Sequence, residues 1–133
     1  MTRSRRRLPI VASPWLLVAC LTACEGRPAV RTDFDPGPVP AELAEGERLF
    51  DAACAPCHGA RAAGTDSGPP LVHPVYEPNH HADIAFQRAA ELGVAAHHWR
   101  FGDMPPVPGV DQAAVERITA YVRWLQRKAG IIP

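Results

Sequence analysis

Cys54-Ala55-Pro56-Cys57-His58 is the part of this chain whose residue types and spacing could do the most chemistry. Two thiols lie three positions apart, and an imidazole directly follows the second. Three chemistries compete for such a run. A structural zinc site needs four ligands, usually as two pairs, and the mature chain holds no second cysteine pair, although six histidines could contribute. A dithiol redox motif of the thioredoxin kind should follow a strand in a βαβ setting, whereas a helical pattern precedes this one. The third is covalent attachment of a haem. Two thiols at this spacing reach the two vinyl groups of one macrocycle, and the next residue, His58, is then held beneath the iron. Cofactor, orientation and proximal ligand are fixed together.

A second run, "FGDMPPVPG" at residues 101–109, supplies the complementary half. Met104 is one of two methionines in the chain, the other being Met1. A thioether is a neutral, soft ligand, and His/Met ligation raises an iron potential. Pro105, Pro106 and Pro108 would stiffen the loop that presents it. By itself, a methionine in a proline-rich turn reads as core filler; beside Cys54, Cys57 and His58 it reads as the second axial ligand. The histidines keep other readings open. His97 or His98 could compete as the distal ligand. His80, His81, His97 and His98 could build an auxiliary copper or zinc site, or bond haem propionates and backbone from the surface. Trp99 or Arg100 could also meet a propionate, Arg100 by a charge-assisted bond. The plainer alternative is a packed indole and a solvated guanidinium.

The elements that must position these groups are helices. The pattern predicts one over Ala41–Ala53, with Leu43, Gly46, Leu49 and Phe50 on one side and glutamates largely on the other. A second is expected over Asp83–Leu92, with Asp83 as N-cap, Gly93 as stop, and Phe86, Ala89, Ala90 and Leu92 facing inward. The third, Asp111–Ala129, has Asp111 as N-cap and a Val110/Val115 hydrophobic staple. Val115, Ile118, Tyr121, Val122 and Leu125 follow its helical period, and Gly130 ends it. No stretch alternates as a strand, so the fold class is all-α with long loops. Fifteen prolines, ten glycines and an aromatic share of 7% leave little to fill a core, which a large buried ligand would remedy.

Charge is balanced at 14 basic and 14 acidic groups, but Arg3, Arg5, Arg6 and Arg7 crowd the start. The remainder is mildly acidic and carries no basic patch for nucleic acid. Residues 1–24 read as an export signal, with an apolar run from Leu8 to Ala23. Its end, "LTAC", resembles a bacterial lipobox with Cys24 lipidated, and "LVAC" ending at Cys20 also fits. Residues 25–40 hold four prolines and no apolar period, as expected of a semi-extended tether. The compact domain is expected over 41–133. A lipid anchor would hold it at the periplasmic side of a bacterial membrane.

The domain resembles a class I cytochrome c over roughly residues 42–130, through Cys54-Ala55-Pro56-Cys57-His58, Gly102-Asp103-Met104-Pro105 and "GPPL" at 68–71. The resemblance implies about three main helices wrapped around one covalently attached haem c per chain. It implies that the Pro69 carbonyl accepts the Nδ1 proton of His58 and that Leu71 packs on the haem. It also implies that the helices bearing Gly46 and Phe50, and Tyr121 and Trp124, cross closely. The function implied is single-electron transfer between transiently docked redox partners, not catalysis. A haem enzyme or gas sensor with an open or histidine-ligated distal site, and an exported histidine-rich metal-binding protein, are the alternatives.

Overall fold

The computed structural model describes residues 32–133; the expected export signal, the lipobox cysteines and residues 25–31 of the tether lie outside them. Four α-helices follow one another: α1 (Ala44–Ala53), α2 (Ala55–His58), α3 (Asp83–Leu92) and α4 (Gln112–Lys128). Short 3-10 turns at Ala41–Leu43, Ala60–Ala62 and Pro74–Tyr76 occur between and before them. Among the described residues there is no strand, only an isolated antiparallel bridge between Val94 and Met104. The all-α class is as expected. The first helix differs slightly, because Ala41–Leu43 is wound as 3-10 before α1 begins.

α4 is the spine. Asp111 caps it, its carboxylate accepting the Ala114 N–H at 2.8 Å. The other end closes with Gly130 N–H on the Arg127 carbonyl (3.0 Å) and Ile131 N–H on the Gln126 carbonyl (2.9 Å), the paired bonds of a Schellman motif. Asp111→Ala should cost about 1 kcal/mol of stability, measured by chemical denaturation, while Asp111→Ser should cost little. α1 crosses α4. Phe50, Tyr121, Val122 and Leu125 are fully buried there, with Phe50 and Tyr121 rings 5.7 Å apart. At the crossing Gly46 lies so close to α4 that a β-carbon would collide with the Arg117 carbonyl. This close contact requires a glycine within a helix.

Two details of α3 correct the expected reading. Asp83 is the first helical residue, not the N-cap; Ala82 occupies the cap without a side-chain bond. The Asp83 carboxylate instead accepts from Arg123 Nε at 2.8 Å, reaching across to α4. Leu92 does not face inward: it is 69% exposed. It lies six residues beyond Phe86, about 120° further round the helix, so it turns away from the side that meets α4.

Residues 32–40 are the described part of the expected tether. Residues 32–40 contain no helix, yet they lie against the domain and do not stand off from it. Thr32 donates its N–H to the Ala63 carbonyl (2.9 Å) and its hydroxyl to the Val72 carbonyl (2.7 Å). Phe34 and Val39 pack against the core, and Arg61 reaches Asp35 at 3.1 Å. Two aromatic or branched side chains and a pair of backbone acceptors are enough to dock an otherwise proline-rich strip.

Candidate haem site

α1 leads directly into the cysteine motif. Cys54 follows the last residue of α1, and Cys57 and His58 fall on the short α2. Cys54 is half-buried and Cys57 exposed, and neither is in a disulfide. Burial, with a smaller contribution from Cys57, pushes the Cys54 thiol up to about 11, so it stays protonated at neutral pH. Both cysteines and His58 line one large, mainly apolar cavity of about 600 Å³, within the range usual for cofactor sites.

The His58 ring is held. Its Nδ1 lies 2.9 Å from the Pro69 carbonyl, which can only accept, so the proton sits on Nδ1 and the lone pair on Nε2. Burial lowers the His58 pKa, partly opposed by that carbonyl, and keeps the ring neutral. The carbonyl's position is itself fixed nearby: Leu71 and Val72 both donate their N–H to the Ala62 carbonyl, at 2.9 and 3.3 Å. Leu71, 8% exposed, belongs both to the core and to the cavity wall.

Met104 reaches the same cavity from the far end of the sequence. It sits on a strap that leaves α3 at Gly93 and returns through Pro105 and Pro106. Val94 and Met104 exchange both backbone bonds at 2.9 Å, and Val107 N–H bonds the Ala90 carbonyl at 2.8 Å. Asp103 holds the strap's interior by accepting the Ala96 N–H at 2.8 Å. Gly93 has φ +75°, and a β-carbon there would stand 2.5 Å from the Met104 carbonyl. The turn that aims the strap back is thus closed to other residues.

Trp99 lines the cavity, but its indole N–H is already donated to the Tyr76 hydroxyl at 3.0 Å. Its ring also meets His73 edge-on, with centroids 5.0 Å apart. Arg100 is exposed and does not line the cavity. The structure therefore brings Cys54, Cys57, His58, Pro69, Leu71, Trp99 and Met104 together and leaves Arg100 outside. His81, His97 and His98 stand at one edge of the cavity. The pKa of the exposed His98 is lowered, by desolvation first and then by its three histidine neighbours.

Arg123 and Gln126 went unnoticed in the sequence, and both organise the wall. Arg123 is 5% exposed and Gln126 fully buried. The Arg123 guanidinium donates to the carbonyls of Tyr76 (2.6 Å) and His81 (2.5 Å) and to Gln126 Oε1 (2.7 Å), besides Asp83. It also lies over the Phe86 ring, 5.1 Å from its centroid. Gln126 Nε2 donates to the Leu71 and Tyr76 carbonyls at 2.8 and 3.1 Å. Together they fasten the irregular segment between Leu71 and Asp83 onto α4. The only sequence signal was their place among the apolar residues of the longest helix.

The apolar wall, the oriented imidazole, the paired thiols and a thioether at the same cavity fit a macrocycle with an axially ligated metal. Comparison with known families agrees: the profile described as Cytochrome c matches residues 43–126, well over half of the chain. No curated protein and no solved structure matches the chain.

Proposed function

The chain belongs to the cytochrome c family, whose members bind covalently attached haem c, and from that premise we propose that it is a single-electron carrier with one haem held through Cys54 and Cys57. The observation that carries this reading is the shared cavity, with His58 fixed by Pro69 on one part of its wall and Met104 supplied by the strap. When bound, haem c supplies a ferric/ferrous couple that passes one electron without making or breaking bonds to a substrate.

The chain's own residues do the rest. Cys54 and Cys57 would hold the macrocycle by thioethers. His58 would present Nε2 to the iron, its direction set by the Nδ1 bond to Pro69. Met104 would present its sulfur from the strap, and a neutral thioether favours the reduced metal. Leu71 and the apolar residues of α3 and α4 exclude water. Around the wall, Trp99 donates to the Tyr76 hydroxyl, and Arg123 and Gln126 satisfy the carbonyls of Leu71, Tyr76 and His81 from behind. In this reading redox proteins dock weakly and transiently near the cavity mouth. The arginine-rich start and the "LTAC" run support export and anchoring through Cys24 at the periplasmic side of a bacterial membrane.

The test is the optical spectrum of the haem-loaded protein in ferric and ferrous forms. We expect a c-type ferrous spectrum and a ferric sulfur-to-iron charge-transfer band that Met104→Ala abolishes. In that variant carbon monoxide should bind the ferrous protein rapidly, and in the parent it should not. A parent spectrum lacking the band, or rapid carbon monoxide binding by the parent, would replace the carrier reading with a histidine-ligated or open, reactive iron.

A further inference from the structure

Three histidines outside the proposed iron ligands converge at one edge of the cavity. His80, His81 and His98 each offer a ring nitrogen, and these atoms all lie within 4.8 Å of one another. Ring centroids are 4.7 Å apart for His80 and His81, 4.9 Å for His80 and His98, and 5.1 Å for His81 and His98, a nearly regular triangle. His80 Nε2 and His98 Nε2 are 3.2 Å apart. Two imidazoles sharing one tetrahedral ion at the usual zinc–nitrogen distance stand about 3.3 Å apart. The pair already has the separation that a common ion would impose.

The third ligand is oriented from outside the triangle. His81 Nδ1 lies 2.7 Å from the Val75 carbonyl, which places the proton on Nδ1 and leaves Nε2 its lone pair. A carbonyl behind a ring in this way fixes the tautomer and direction of metal-ligating histidines. The backbone beneath is also anchored. His80 and His81 both donate their N–H to the Glu77 carbonyl, at 3.0 and 2.8 Å, and the His81 carbonyl is gripped by the buried Arg123. His98 arrives from a different part of the chain, on the strap that carries Met104. The rings of His80 and His98 are exposed, so an ion has open access. The His97 ring lies 4.2 Å from that of His98, with its Nδ1 2.8 Å from the Ala95 carbonyl.

We propose that His80, His81 and His98 form a three-nitrogen site for a divalent transition-metal ion of the zinc class, cross-linking the turn before α3 to the Met104 strap. Three neutral imidazoles without a carboxylate discriminate against magnesium and calcium, which take oxygen ligands. The spacing suits tetrahedral coordination, which zinc adopts without a preference of its own. Water or His97 would complete the shell.

The experiment is isothermal titration of zinc chloride into the haem-loaded protein, followed by zinc K-edge absorption on the product. One equivalent should bind, with a shell containing three nitrogens at about 2.0–2.1 Å. His80→Ala and His98→Ala should each weaken binding about tenfold or more, while Glu42→Gln, in the turn before α1, should leave it unchanged. The haem spectrum of both alanine variants should match the parent, which shows that they fold and separates this site from the iron. Unchanged affinity and stoichiometry in His80→Ala and His98→Ala would overturn the proposal, as would an oxygen-only shell. So would zinc binding confined to the haem-free chain, which would mean that the cavity's occupant engages these rings. An altered haem spectrum in His98→Ala would assign that residue to the iron instead.

Discussion

Replacing Gly46 with alanine is expected to destabilise the haem-loaded protein by about 3 kcal/mol, seen as a lower guanidinium midpoint. The added methyl would run into the Arg117 carbonyl and come within 3.2 Å of the Tyr121 β-carbon. A backbone carbonyl inside a helix cannot rotate aside, so α1 and α4 must separate. Helix propensity acts in the opposite direction, favouring alanine over glycine by about 1 kcal/mol in a helix interior. The sign of the change therefore decides between the two effects. A stabilised variant would mean that the helices do not meet at this point. The consequence reaches the site as well, since α1 delivers the chain to Cys54 one residue after its end.

Arg123→Ala is expected to cost a similar amount, about 3 kcal/mol, by the same measurement. The loss does not come chiefly from the ion pair. Asp83 is 70% exposed, and a half-solvated pair of that kind is worth less than about 1 kcal/mol. Asp83→Asn should accordingly change the midpoint little. What Arg123 provides is donors for the Tyr76 and His81 carbonyls and for Gln126 Oε1. Alanine would leave the His81 carbonyl and Gln126 Oε1 without partners, and the Tyr76 carbonyl with only its 3.1 Å bond from Gln126, next to a cavity in the helix surface. Arg123→Lys should recover only part of the loss, because one ammonium cannot follow the fork that serves four acceptors. Equal losses in Arg123→Ala and Asp83→Asn would reverse this ranking and make the ion pair the dominant interaction.

The parts of this protein legible from the sequence are those governed by short-range rules. Cys54, Cys57 and His58 lie within five residues, so that half of the site could be recognised alone, and Met104, among prolines in a distinctive run, could be recognised beside it. α4 was legible because Asp111, a helical apolar period and Gly130 agree over a long span. The conflict at Asp83 shows where such rules fail. A carboxylate just before a helical pattern suits either a cap or a long-range pair, and the buried guanidinium on α4 decided the matter. Leu92 failed for a related reason: it lies about 120° round α3 from Phe86, and an apolar residue at a helix end carries no record of which side its neighbours cover. Arg123 and Gln126 could not be found because their acceptors are main-chain carbonyls of an irregular segment, which no side-chain pattern encodes. The docking of Phe34 and Val39 was hidden by the prolines around them.

The strap from Val94 to Met104 has a consequence for how the molecule opens. It is closed by one two-bond ladder, by the Val107–Ala90 bond and by an aspartate side chain, and Trp99 and His98 tie it to Tyr76 and His80; no sheet stands behind it and most of its residues are in solvent. The contacts that bury Phe50, Tyr121 and Leu125 lie between other elements. Strap and helix pair are thus separate cooperative units, and amide protons at Val94 and Met104 belong to a cheaper opening than those of the α1/α4 crossing. A fluctuation that withdraws the Met104 sulfur leaves His58, its Pro69 bond and both cysteines where they were. Access to the Met104 side of the cavity is then governed by the lifetime of one loop, and the side formed by Cys54, Cys57 and His58 retains its geometry throughout.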